Sequence, residues 1–182
     1  MSQLPQMPSF RLDGRRALVT GSGRGIGRGI AVALAGAGAE VFVAARTGSE
    51  IDALAASIKQ DGGKATALLL DVMDTAAAKD AVSTDGPFDI LVNNAGGNRP
   101  ADLVDVTEED YDAVTDLNVR SAIFLSKAVA TSLIDAGKPG SIINISSQMG
   151  HVGGPKRTVY CATKHAIEGA TKAMAWELGP HG

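Results

Sequence analysis

Thr20-Gly21-Ser22-Gly23-Arg24-Gly25-Ile26-Gly27 is the segment that gives the rest of this sequence its meaning. An apolar run, Ala17-Leu18-Val19, leads into it, and Ile26, Ile30, Ala31 and Leu34, spaced along one helical face, lead out. The glycines therefore stand at a strand-to-helix turn, where the chain can bend tightly, backbone N–H groups can approach a phosphate, and a helix N-terminus faces the negative charge. Ile26 stands where the plain Gly-x-Gly-x-x-Gly pattern would have its third glycine. The segment lacks the Lys-Ser/Thr ending of a nucleoside-triphosphate loop, which argues against an ATPase or GTPase. A glycine-rich flexible loop is the plainer reading of such a cluster, but the framing strand and helix fit it poorly.

The chain has 182 residues, enough for one well-cored domain. Seventeen basic and 20 acidic residues give a net charge of −3, with 4% aromatics and no basic run, so no electrostatic footprint for nucleic acid is present. Cys161 is the only cysteine, which excludes an intramolecular disulfide and suits a reducing compartment. Met1 to Phe10 read as a flexible leading segment without signal-peptide character, and no later run reads as long and uncharged enough to span a bilayer. The expectation is a cytoplasmic protein with a small-molecule partner, no membrane and no nucleic acid.

Strand and helix patterns alternate along the whole chain. Strands are expected at Arg16 to Thr20, Val41 to Ala44, Ala65 to Leu70, Ile90 to Val92 and Ile142 to Ile145. Helices are expected at Gly25 to Ala37, Ser49 to Asp61 and Thr75 to Thr84, then as one long helix capped by Thr107 and running to Gly137, and finally from Lys156 to Leu178. Strands that are apolar throughout are buried on both faces, as in a parallel sheet between helix layers. The class is α/β, doubly wound, and right-handed crossovers give the order 3-2-1-4-5 with a ligand crevice at the carboxyl ends of strands one and four.

Tyr160 and Lys164 lie one turn apart on the last helix. A phenol ordinarily titrates near 10, and an adjacent ammonium favours the phenolate, which is a route to a general acid or base. Such a pair on its own is usually a surface coincidence. Joined with Thr20–Gly27, Asn93-Asn94-Ala95-Gly96, Asn118 and Ser146-Ser147, it makes the chain from Leu12 onward resemble a classical short-chain dehydrogenase/reductase with a Rossmann fold.

The resemblance implies an enzyme that reduces a carbonyl to an alcohol, or the reverse, with Tyr160 as general acid or base. It implies that Lys164 binds the nicotinamide ribose and lowers the barrier to ionising the phenol, that Ser147 hydrogen-bonds the substrate oxygen, and that Asn118 holds a water in a proton relay. Ser146 is the adjacent alternative to Ser147. The implied cofactor contacts are Gly21, Ser22, Gly23, Arg24, Gly25, Ile26 and Gly27 in the loop, Asp71 and Val72 after strand three, Asn93, Asn94, Ala95 and Gly96 after strand four, and Tyr160 and Lys164. Strand two ends in Ala45-Arg46, where an NAD-preferring member usually has an acid, and Arg46 with Arg24 suits the 2′-phosphate of NADP, so NADP is expected over NAD. No metal is expected: Cys161 and His165 share a helix face, but no further ligand cluster joins them. His151 reads either as a substrate-facing residue or as a solvent-exposed loop residue, and Arg99 reads as an exposed arginine, with contact to an acidic substrate as the alternative.

Members of this family usually continue past the point corresponding to Gly182, into a sixth strand, a substrate-covering helix pair and a seventh strand. The expectation is an incomplete NADP-binding domain over residues 11–182, with strand five as an apolar sheet edge. The full-length protein is expected to be a dimer or tetramer, and the alternative to an enzyme is a cofactor-binding module or inactive fragment without a closed substrate site.

Overall fold

A computed structural model describes residues 9–182. The expected flexible segment 1–10 lies outside the described residues except for Ser9 and Phe10, both exposed. Five strands, β1 (Arg16–Thr20), β2 (Glu40–Ala45), β3 (Lys64–Leu69), β4 (Ile90–Asn93) and β5 (Ser141–Asn144), form one parallel sheet in the order β3-β2-β1-β4-β5. Between them run α1 (Gly25–Gly36), α2 (Gly48–Gln60), α3 (Thr75–Asp85), α4 (Glu108–Thr115) and α5 (Ser121–Asp135), and α6 (Thr158–Leu178) follows β5.

Alternate residues of each central strand feed opposite layers. Ala17 and Val19 of β1, Val41 and Val43 of β2, and Val92 of β4 pack with Ala31, Ile51, Leu54 and Ile58 of α1 and α2. Leu18, Phe42 and Leu91 turn the other way, onto Ala78, Val82, Phe88, Leu125, Val129 and Leu133. Full burial of each such Leu or Phe contributes about 1.5–3 kcal/mol, so the two faces of the sheet need a helix layer each. Phe42 and Phe88 meet edge to face at 5.0 Å, and the Arg16 guanidinium lies 4.8 Å from the Phe42 ring, closing the end of the core remote from the carboxyl rim.

Caps fix where the helices start. The Asp74 side chain accepts from Ala76 N and Ala77 N, and Thr107 Oγ1 accepts from Asp110 N at 3.1 Å, with Glu108, Glu109 and Asp110 in the first turn of α4. The last helix starts at Thr158, two residues later than the sequence pattern suggests, because Lys156 adopts a positive φ of 57° that a helix cannot include.

Three expectations need correction. The long helix is not regular: Asp116–Arg120 is a π turn between α4 and α5. The helical stretch Glu108–Asp135 does pass the length and composition test for crossing a membrane, because α5 is almost free of charge, but Leu125, Val129 and Leu133 are spent on the core under the sheet. Ile26, grouped by its spacing with the buried face of α1, is 68% exposed, because the first turn of α1 overhangs the crevice and the buried face begins at Gly27 and Ala31. At the sheet edge, β5 leaves Ile143 43% exposed, and α6 is tied to it by a 3.0 Å bond from Asn144 Nδ2 to Thr171 Oγ1.

Candidate active site

The register places Thr20, Ala44 and Asn93 at one rim of the sheet, where the chain leaves β1, β2 and β4. Thr20 ties two of these ends together. Its hydroxyl donates to Val92 O and accepts from Asn94 N and Ala95 N, both at 3.1 Å, while Asn94 Nδ2 returns bonds to Thr20 O at 2.9 Å and Gly21 O at 3.0 Å. The glycine loop is therefore held against the β4 exit by bonds between the Thr20 and Asn94 side chains and the main chain. Gly21 has φ +61°, and a Cβ there would stand 2.9 Å from Ala95 Cα; a Cβ on Gly27 would strike the Gly21 carbonyl and the Asn94 amide. Close chain packing at these two positions excludes any side chain.

In front of this cradle runs a groove lined by Gly21, Gly23, Arg24, Gly25, Ile26, Ala45, Arg46, Thr47, Glu50, Leu70, Asp71, Val72, Asn94, Ala95, Gly96 and Leu117. Arg24 and Arg46 are exposed on it, and among the described residues neither has a carboxylate at ion-pair distance. Of the two acids on the groove, Asp71 Oδ1 accepts from Met73 N at 3.0 Å, and the Glu50 carboxylate lies over Gly23. Glycine backbone, a helix N-terminus and two free guanidinium groups are the donor set that a pyrophosphate and a further phosphate require, so the residues present fit a dinucleotide.

Ile26, Asn94 and Gly96 also belong to a second hollow, completed by Gly97, Asn98, Ile145, Ser146, Ser147, Gln148, Met149, Arg157, Tyr160 and Lys164. The chain leaving β5 carries Ser147, whose Oγ accepts from Met149 N at 3.2 Å, so its own hydrogen is left to donate elsewhere. Lys164 is 7% exposed, donates from Nζ to Ile145 O at 2.7 Å, and lies 5.7 Å from the centre of the Tyr160 ring. Burial pushes the Lys164 ammonium below the ordinary lysine value.

Asn118 is 3% exposed and sits in the π turn. Its Oδ1 accepts from Gly97 N at 2.8 Å, and its Nδ2 donates to Gly97 O at 2.9 Å and Thr163 Oγ1 at 3.0 Å. It thus pins the Gly97 loop to the helix that carries Tyr160.

The structure gathers most of the expected residues onto these two connected hollows but sets four behind the wall. Ser22 is fully buried, with N and Oγ both bonded to Ala44 O. Gly27 packs under Gly21, and Asn93 Nδ2 is spent on Ala122 O, Ser126 Oγ and Asn144 Oδ1. Asn118 faces Gly97 and Thr163 rather than a hollow. These four shape the site without lining it. Sequence reasoning passed over Thr47, Glu50, Leu117, Asn98, Gln148 and Arg157, of which only Arg157, charged and close before Tyr160, carried a local signal.

A family model described as short chain dehydrogenase matches residues 15–182. The chain is 45% identical over 172 residues to L-xylulose reductase of Bos taurus, covering 94% of this chain and 69% of that protein. It is 41% identical over 172 residues to carbonyl reductase [NADPH] 2 of Sus scrofa, covering 94% of this chain and 69% of the relative. Among solved structures, a gluconate 5-dehydrogenase from Burkholderia cenocepacia J2315 in complex with NADP and tartrate superposes with a TM-score of 0.88 at 38% identity, over 96% of this chain and 69% of that one.

Proposed function

We propose a reaction on the strength of one fact: the chain belongs to the short-chain dehydrogenase family. The reaction is the NADP(H)-linked interconversion of a small-molecule carbonyl and its alcohol, with Tyr160 moving the proton. The observation that carries this reading is the junction of the two hollows. Ser147, Tyr160 and Lys164 line one, the glycine cradle lines the other, and Ile26, Asn94 and Gly96 border both.

When bound, the nicotinamide supplies or accepts the hydride. The chain's own residues do the rest. The Ser147 hydroxyl, fixed by Met149 N, donates to the carbonyl oxygen and draws off its developing charge. Tyr160 gives the phenolic proton to that oxygen in reduction and takes it back in oxidation. Lys164, held by Ile145 O, directs its remaining hydrogens to the ribose and the phenol. Arg24 and Arg46 receive the 2′-phosphate, and Ala45 offers no carboxylate to repel it. Two relatives, one named for NADPH and one solved with NADP, support this cofactor choice.

The test is NADPH oxidation with a panel of ketones, alongside NADPH binding followed by nicotinamide fluorescence. Tyr160→Phe is expected to lose at least 100-fold in turnover, at the low end of general acid catalysis, while binding NADPH within about threefold of the parent. Full turnover by the phenylalanine variant would assign the proton to another group. Tight NADPH binding with no ketone reduced by the parent protein would favour a cofactor-binding module instead.

A further inference from the structure

Proton transfer leaves several polar groups around Tyr160 unused. The hollow is walled by Asn98, Gln148 and Arg157 in addition to Ser147, Tyr160 and Lys164, and by no Asp or Glu. Arg157 immediately precedes α6, three residues ahead of Tyr160, and is half-buried. Among the described residues no carboxylate lies within ion-pair distance of it. The acids of the neighbouring loop and helix are committed elsewhere, Asp102 to Lys156 at 3.2 Å and Glu168 to His151 at 3.6 Å. Asn98 Nδ2 is buried and has no acceptor. A buried donor without an acceptor destabilises the fold unless a ligand oxygen supplies one, and Asn98 lines the same hollow as the unpaired guanidinium.

The charge balance indicates the ligand. Arg157 and Lys164 give the hollow two cations and no anion, and the field inside a partly dehydrated cleft favours a negatively charged occupant. Lys164 is already anchored on Ile145 O, which leaves the planar fork of Arg157 as the group that matches a carboxylate. A neutral ketose would satisfy Asn98 but leave Arg157, half-buried, without an anionic partner.

We infer that the hollow selects a carbonyl substrate bearing a carboxylate, an oxo acid, with Arg157 pairing with the carboxylate and Asn98 donating to another oxygen of the same molecule. The inference rests on reading this hollow as the substrate side of a reductase.

The experiment titrates the NADP+-loaded protein calorimetrically with gluconate, with the neutral polyol glucitol, and with glucitol 6-phosphate. Gluconate is expected to bind at least tenfold more tightly than glucitol and more tightly than the phosphate. Arg157→Gln should bring gluconate to within twofold of glucitol without changing glucitol or NADP+ affinity, and Arg157→Lys should restore part of the advantage. Asn98→Ala should weaken gluconate and glucitol alike. Equal affinities in the parent protein, a stronger preference for the phosphate, or an advantage that survives Arg157→Gln would each overturn the inference. Turnover separates it from the reaction it rests on. Neutral ketones reduced by NADPH without any gain for oxo acids would sink the anion site alone. Gluconate selectivity with no ketone or oxo acid reduced would sink the reductase reading alone.

Discussion

Asn118→Ala tests whether the active-site helix is held in place from behind. The side chain is 3% exposed and makes three hydrogen bonds, at 2.8 and 2.9 Å to the Gly97 backbone and 3.0 Å to Thr163 Oγ1. Each bond contributes about 1 kcal/mol net, and alanine also leaves the Gly97 amide without its acceptor, so the expected loss is about 3 kcal/mol. In urea, with a slope of about 2 kcal/mol per molar, the unfolding midpoint should fall by about 1.5 M. Thr163→Val removes one partner of the same network, and a double-mutant cycle should return a coupling of about 1 kcal/mol. Hydrogen exchange at the Gly97 amide should accelerate in the alanine variant. A loss below 1 kcal/mol, or strictly additive effects of the two changes, would refute the view that Asn118 clamps the Gly97 loop to α6.

Arg46→Asp is expected to reverse the nucleotide preference, weakening NADPH and strengthening NADH in paired fluorescence titrations, because it replaces a free guanidinium on the groove with a carboxylate. Gly21→Ala should weaken binding of either nucleotide at least tenfold in the same assay, since its Cβ would meet Ala95 Cα at 2.9 Å from a backbone at φ +61°. Lys164→Met should change how stability depends on pH. The folded-state value of Lys164 is lowered by burial, so the unfolded chain holds more protons between that value and the ordinary 10.5. Denaturation from pH 7 to 10.5 should therefore show the parent gaining stability relative to Lys164→Met as pH rises through that window, with a flat difference below it.

The strand order and the crevice at the carboxyl ends of strands one and four were legible because the strands are apolar and the crossovers allow one order. All five strands and the helices α1, α2, α3 and α6 were placed within two residues, since caps such as Asp74 and turns such as Gly62-Gly63 are local chemistry. The π turn at Asp116–Arg120 was not legible. A shift from i→i+4 to i→i+5 bonding changes no residue type, and the apolar pattern passes through it unbroken. Ser22 and Asn93 show a second limit: polar residues beside a ligand groove either face it or brace it, and only the neighbouring chain, Ala44 for one and Asn144 for the other, decides which. Asn98 and Arg157 line one hollow from positions 59 residues apart, an arrangement set by the β4 and β5 exits and not by any local pattern.

The π turn has a consequence for which changes in length the chain can absorb. Each helical residue advances the chain by about 100°, and the wide turn holds one residue more than regular helix would use over the same rise. Removing a residue between 116 and 120 would make the backbone bonding regular. It would also swing everything beyond it by about 100°, so that either Val114 or the row Leu125, Val129 and Leu133 would leave the core. The locally more ideal helix would thus belong to a less stable protein. The irregularity acts as a phase adjuster: it lets one continuous rod bury Val114, turn Asn118 onto Gly97 and Thr163, and still lay its far half squarely under the sheet.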